Sequence, residues 1–174
     1  MVGKWGKEVA ERGFAQVPNY LLLINQFLVE EKRLRPEELM ILVQLVGSWW
    51  RTGEMPYPSL KTLATRSGVS DRQAQRAVSR LEGLGFIQRV KRKNGSLIAS
   101  NAYDLKPLVS FLRHVAKAFP NEFVRKVPTD ELKKLDATLG QSETTSEIKE
   151  DQKAAPKRLR LPPNRKRAIR LDAE

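Results

Sequence analysis

Cysteine is absent from this chain, histidine occurs once, and no apolar run is long enough to fill a bilayer. Each gap removes a class of chemistry. Without thiols there is no disulfide, no thiolate-ligated zinc finger and no cysteine nucleophile. His114 stands beside Leu112 and Val115 with no carboxylate at metal-ligand spacing, so neither a metal centre nor histidine catalysis is expected. There is no glycine-rich phosphate loop of the P-loop form, no G-x-S-x-G elbow and no paired acidic motif. The expectation is therefore a protein without a cofactor that is not an enzyme. The opening MVGKWGKEVAERGF carries charge where a signal peptide needs its apolar core, so neither secretion nor a membrane span is expected.

Positive charge, by contrast, is in excess. The 174 residues include 32 Lys and Arg against 20 Asp and Glu, a formal charge of +12. So many uncompensated cations favour a polyanionic partner, either nucleic acid or an acidic membrane surface. With 40% hydrophobic residues the chain is expected to be globular, and its length allows one domain with an appendage.

Composition and periodicity divide the chain into an irregular lead over 1–15, a domain over 16–105, a helical extension over 106–139 and a disordered charged tail over 140–174. Leu21, Ile24 and Leu28 recur at helical spacing between Pro18 and Val29, predicting a short buried helix. In LRPEELMILVQLVGSWW, Pro36 suits a first helical position and Glu37 and Glu38 oppose the positive end of the helix dipole. Its stripe of Leu39, Leu42, Val43 and Val46, with Trp49 and Trp50 following, predicts the central helix of the core. Met55 to Tyr57 is expected to be extended, as an edge strand.

PSLKTLATRSG predicts a helix capped by Ser59, with Leu60, Leu63 and Ala64 inward and Gly68 as its stop. Val69 is expected to be buried in the turn. Directly afterwards Ser70 and Gln73 form the S-x-x-Q version of a capping box, which starts a helix that Gly83 or Gly85 ends. Then two β-capable runs flank Asn94-Gly95, the dipeptide best suited to a two-residue type I′ turn. A further helix from Lys106 to Phe119 is stopped by Pro120, and PTDELKKLDATLG predicts one more, capped by Thr129 or Asp130.

Two helices joined by a tight glycine turn and followed by a basic hairpin are the parts of a winged helix-turn-helix. The fold class is thus mainly α with a small β-hairpin, an α+β winged helix-turn-helix with extra helices at both ends. At about 100° per residue, Ala74, Ala77, Val78 and Leu81 share one side of the second helix. Arg72, Gln75, Arg76 and Ser79 centre on the other, flanked by Gln73 and Arg80. Arginine donates a bidentate pair to guanine, glutamine pairs with adenine, and serine bonds a base or a phosphate. The hairpin adds Arg89, Lys91, Arg92 and Lys93, suited to phosphate or minor-groove contact. From Ser70 to Lys93 seven basic residues face only Asp71 and Glu82.

The run YPSLKTLATRSGVSDRQAQRAVSRLEGLGFIQR, with NAYDL after the wing, resembles winged helix-turn-helix domains of bacterial, phage and plasmid proteins, among them replication initiators and transcriptional regulators. The upstream GFAQVPNYLL is similar to the opening of phage replication-origin-binding proteins. The resemblance implies that the helix from Ser70 to Leu84 enters a major groove of double-stranded DNA and that Lys61 and Thr62 touch phosphate. A cytoplasmic, nucleoid-associated location follows from the same reading.

Three partner questions are left open by the residues. Leu105, Leu108, Leu112, Val115 and Phe119 form a seam that packs either on the core or on a second copy as a homodimer. The basic cluster from Lys157 to Arg170 folds on a replication or transcription protein, adds non-specific DNA affinity, or serves only as a solubilising tail. The other reading of the whole chain is a winged-helix protein-interaction module whose charge serves solubility and non-specific DNA affinity.

Overall fold

The computed structural model describes residues 2–94, 97–98, 100–121 and 127–139. The predicted tail, 140–174, and the Gly95 of the predicted turn lie outside the described residues.

The lead is more ordered than its composition suggests. Two single-turn helices, α1 (Val2–Trp5) and α2 (Lys7–Ala10), are separated by Gly6, whose φ of 80° suits glycine and keeps them from merging. The predicted helix from Pro18 to Val29 is also broken. It runs as α3 (Asn19–Leu22) and then a 3-10 turn, Ile24–Phe27. Asn25 explains the tighter winding. Its side-chain amide accepts the Leu34 N–H at 2.7 Å and donates to the Leu34 carbonyl at 2.8 Å, a two-way bond that competes with a regular helix. The broken path still buries Leu21, Ile24, Phe27 and Leu28.

Helix α4 (Pro36–Gly47) begins with Pro36 in its first turn. Arg35, just before it, has no acceptor atom to offer as a cap, and Glu38 compensates by accepting the Arg35 N–H at 2.9 Å. Ile41, Leu42, Leu45 and Val46 are buried and make α4 the central core helix as expected, but Ile41 and Leu45 take the fully buried places foreseen for Leu39 and Val43, which are only half-buried. The tryptophans depart from the expected stripe. The helix stops at Gly47, so Trp49 is only half-buried and Trp50 is 84% exposed.

Helix α5 (Leu60–Ser67) starts at Ser59, whose hydroxyl accepts the Thr62 N–H at 3.0 Å. It ends at Gly68 with φ 67°, where the Val69 N–H reaches the Ala64 carbonyl and the Gly68 N–H reaches Thr65. Those two bonds are the Schellman pattern, and a side chain at position 68 would cost about 1–2 kcal/mol in the left-handed backbone. Val69 is half-buried rather than buried. Helix α6 (Asp71–Gly83) opens with the predicted box: Ser70 Oγ accepts the Gln73 N–H at 3.3 Å, and Gln73 Oε1 accepts the Ser70 N–H at 3.0 Å.

Of the two candidate stops, Gly85 is the one that turns the chain. Its φ is 79°, and a second Schellman pair runs from Phe86 to Leu81 and from Gly85 to Glu82. Phe86 and Leu81, both buried, supply the apolar contact typical of that motif. Phe86 and Ile87 therefore precede the strand, which is why they fail to alternate with Val90.

The wing is a hairpin in two parts. Strands β1 (Gln88–Val90) and β4 (Ala102–Asp104) pair antiparallel with Arg89 opposite Tyr103, while β2 (Lys93–Asn94) pairs with β3 (Leu97–Ile98). Asn94 is opposite Leu97 and so belongs to the strand, not to the turn position expected of it. Met55 to Tyr57 forms no regular strand, although the Pro56 carbonyl accepts the Tyr103 N–H at 2.9 Å in the manner of an edge.

Helix α7 (Lys106–Ala118) decides the fate of the leucine seam. Leu105, Leu108 and Val115 are buried with Phe111, and Leu112 and Phe119 pack against the same core. Phe111 meets Phe86 at 5.6 Å between ring centroids and Phe119 meets Phe27 at 5.5 Å, so the chain's own residues fill the strip read as a dimer interface. Helix α8 (Thr129–Thr138) is preceded by Pro128 and has no side-chain cap, which corrects the expectation for Thr129 or Asp130. Its Leu135 joins the same core, and Asp136 pairs with Lys32 at 2.6 Å. Extension and winged domain thus share one interior, each fully buried leucine contributing about 1.5–3 kcal/mol. Among the described residues no helix is long and apolar enough to cross a membrane.

Candidate nucleic-acid interface

Ala74, Ala77, Val78 and Leu81 are all buried, and the two alanines let α6 lie close against α4. Burial of that side leaves Arg72, Gln75, Arg76 and Ser79 exposed at i, i+3, i+4 and i+7, a single stripe along the helix. Among the described residues, neither Arg72 nor Arg76 has a carboxylate or hydrogen-bond partner within the chain. Arg72 also stands in the first turn of α6, where a cation opposes the helix dipole. Fold stability gives no reason for an arginine at that position.

The flanking residues behave differently. Gln73 Oε1 is committed to the cap, accepting from both the N–H and the hydroxyl of Ser70. Arg80 turns away from the stripe and places Nε 3.2 Å from the Glu38 carboxylate, which is nearly fully buried. Its Nη2 reaches the Glu31 carbonyl at 3.2 Å and the Arg33 carbonyl at 3.5 Å. Arg80 thereby joins α6 to the entry of α4 and is not in the exposed group with Arg72 and Arg76.

Arg89 is likewise taken up inside the chain. Its backbone N–H bonds Glu82 Oε1 at 2.9 Å and its guanidinium holds Oε2 at 2.7 Å through Nε. This clasp locks the first residues of the wing to the last turn of α6. The hydrogen bond from Arg89 holds the Glu82 carboxyl below the usual carboxylate range, against the opposing effect of burial. A depressed carboxyl stabilises the fold above its unfolded value, about 4.3. That contribution is lost as pH falls through the lower folded value. We expect Glu82→Gln to flatten the acid limb of a plot of thermal midpoint against pH, while the parent loses stability there.

The remaining wing and α5 residues divide similarly. Lys61 and Lys91 are exposed, whereas the Thr62 hydroxyl is held by Ser59 Oγ at 2.8 Å. Arg92 lays its guanidinium over the ring of Tyr57, 4.0 Å from the centroid. Nearby, Ser100 Oγ donates to the Tyr57 carbonyl at 3.2 Å, so the wing is braced on the segment before α5. The backbone of Lys93 pairs opposite Ile98.

Two participants escaped the sequence reading. Tyr57 is the platform under Arg92, and Arg66 is an exposed cation of α5 bonded only weakly, at 3.4 Å, to Ser48 Oγ. Arg66 was discoverable, because inward Leu63 and Ala64 put it on the outer face. The Tyr57 contact links residues 35 positions apart and has no local signal.

Among the described residues no group of His, Cys, Asp or Glu is arranged to hold a metal ion. The candidate interface is a set of exposed guanidinium, ammonium, amide and hydroxyl groups on α5, on α6 and at Lys91, next to the first strand of the wing. Residues 32–87 match the family model described as a helix-turn-helix domain, which spans α4, α5 and α6 and stops before β1. No curated protein matches the chain.

Proposed function

From the match of residues 32–87 to a helix-turn-helix domain as the premise, we propose that this chain binds double-stranded DNA sequence-specifically, with α6 in the major groove. The observation that carries the reading is the contrast between arginines on one helix. Arg80 is consumed by an internal pair, while Arg72 and Arg76 are left exposed beside Gln75 and Ser79. Arg72, Arg76 and Gln75 have the donors that read guanine and adenine edges, and Ser79 bonds either base or phosphate. Lys61, Lys91 and Arg92 hold phosphates on either side, with the wing aligned by the Glu82–Arg89 clasp. Gln73, Thr62 and Arg80 act through the framework instead. The protein is a binder and not an enzyme, and on DNA it would be found with the nucleoid.

Its biological role would be that of a transcriptional regulator or of an origin-binding initiator of a phage or plasmid. Both use the same DNA-reading surface. An initiator must in addition dock a helicase or its loader, and the segment from 140 to 174 is the candidate for that contact.

Selection of bound duplexes from a random pool tests the reading. A single enriched motif is expected, with affinity that falls steeply with salt as phosphate-bound counterions are released. Occurrence of the motif at the protein's own promoter supports regulation, and repeated copies at an origin support initiation. An unenriched pool, with weak binding that is indifferent to sequence, sinks the specific reading in favour of a protein-interaction module.

A further inference from the structure

Trp50 is 84% exposed and Tyr57 55% exposed. Both line one open cleft of about 270 Å³, together with Arg51, Glu54, Thr62 and Arg66. An indole left in water contributes little to the fold, yet it offers a large rigid face to a partner. The cleft lies below the volume of pockets that enclose a drug-sized ligand, roughly 300–1,000 Å³. Its size and openness suit one flat group laid against a wall.

The charges around the aromatics select the partner. Arg51 and Arg66 line the cleft, and Arg92 covers the Tyr57 ring from the wing. The one acidic side chain among the lining residues, Glu54, is spent on Arg51 at 2.9 Å. Planar π faces among guanidinium groups complement a nucleobase and its phosphate. A duplex hides its base faces in the stack, so an exposed indole gains nothing from paired DNA. We propose that this cleft binds an unpaired nucleotide of single-stranded DNA, with the base stacked on Trp50 and the adjoining phosphate held by Arg66, which no carboxylate reaches among the described residues. The cationic surround argues for nucleic acid over a protein segment. The site borders the wing through Tyr57 and Arg92 but includes no residue of the α6 stripe, so Trp50 on one side and Arg72 with Arg76 on the other separate the two readings.

The test uses the full chain and a fluorescein-labelled oligo(dT) of about 15 nucleotides, within the range one single-strand site covers. Binding is expected to quench intrinsic tryptophan fluorescence. Trp50→Ala should weaken it about tenfold and remove most of the quench, whereas Trp50→Phe retains most of the affinity. Arg72→Ala/Arg76→Ala should leave oligo(dT) binding in place while duplex binding falls, and Trp50→Ala should do the reverse. Equal oligo(dT) affinity for Trp50→Ala and the parent overturns the proposal. Failure of duplex binding alone would count against α6 reading DNA, not against this cleft.

Discussion

Replacing Arg72 and Arg76 together by alanine is expected to lower affinity for the selected duplex by roughly thirtyfold or more, with the thermal midpoint almost unchanged. Each bidentate arginine–guanine contact contributes about 1–3 kcal/mol of discrimination, so two lost contacts exceed the roughly 1.4 kcal/mol of a tenfold change. The fold should not register the loss. Both side chains are exposed and have no internal partner among the described residues, and surface changes of that kind stay within about 0.5 kcal/mol. Removing Arg72 even relieves an unfavourable charge in the first turn of α6. Anisotropy at fixed salt measures the first quantity and a thermal melt the second. Undiminished duplex binding in the double variant would mean that α6 does not face DNA.

The second large effect has the opposite signature. Arg80→Ala should destabilise the protein by about 2–4 kcal/mol, because the Glu38 carboxylate, 4% exposed, is left without its guanidinium. Partial exposure of Arg80 keeps the figure toward the lower part of what breaking a buried pair costs. Glu38 has a second task, accepting the Arg35 N–H at the entry of α4, so it cannot simply turn to solvent. In a Glu38→Gln background the same arginine change should cost much less, since no buried charge is then orphaned. At a temperature where both forms are folded, duplex affinity should fall far less for Arg80→Ala than for the Arg72/Arg76 pair. Equal costs of Arg80→Ala in the two backgrounds would show that the pair does not carry the stability.

Much of the local architecture was legible because its signals are short-range. Ser59, Gly68, Ser70 and Gln73 act on backbone groups within three to five residues, and each does so as expected. The inward set of α6 follows from periodicity alone. Where the reading failed, distant residues intervened. The Asn25–Leu34 exchange breaks a helix that spacing had predicted as continuous. The seam of α7 was ambiguous between core and second copy until Phe27, Phe86 and Leu135 were placed against the same core.

The arginines mark the boundary most sharply. Sequence by itself determined that α6 has an apolar side and a cationic side, since side-chain direction along a helix depends only on residue number. It could not sort Arg72 and Arg76 from Arg80 and Arg89, which have the same chemistry. The tertiary structure decided that, by bringing Glu38 from 42 residues away to one and folding Glu82 back on the other. A charge is available to a partner only when no internal carboxylate reaches it, and such reach is a property of packing.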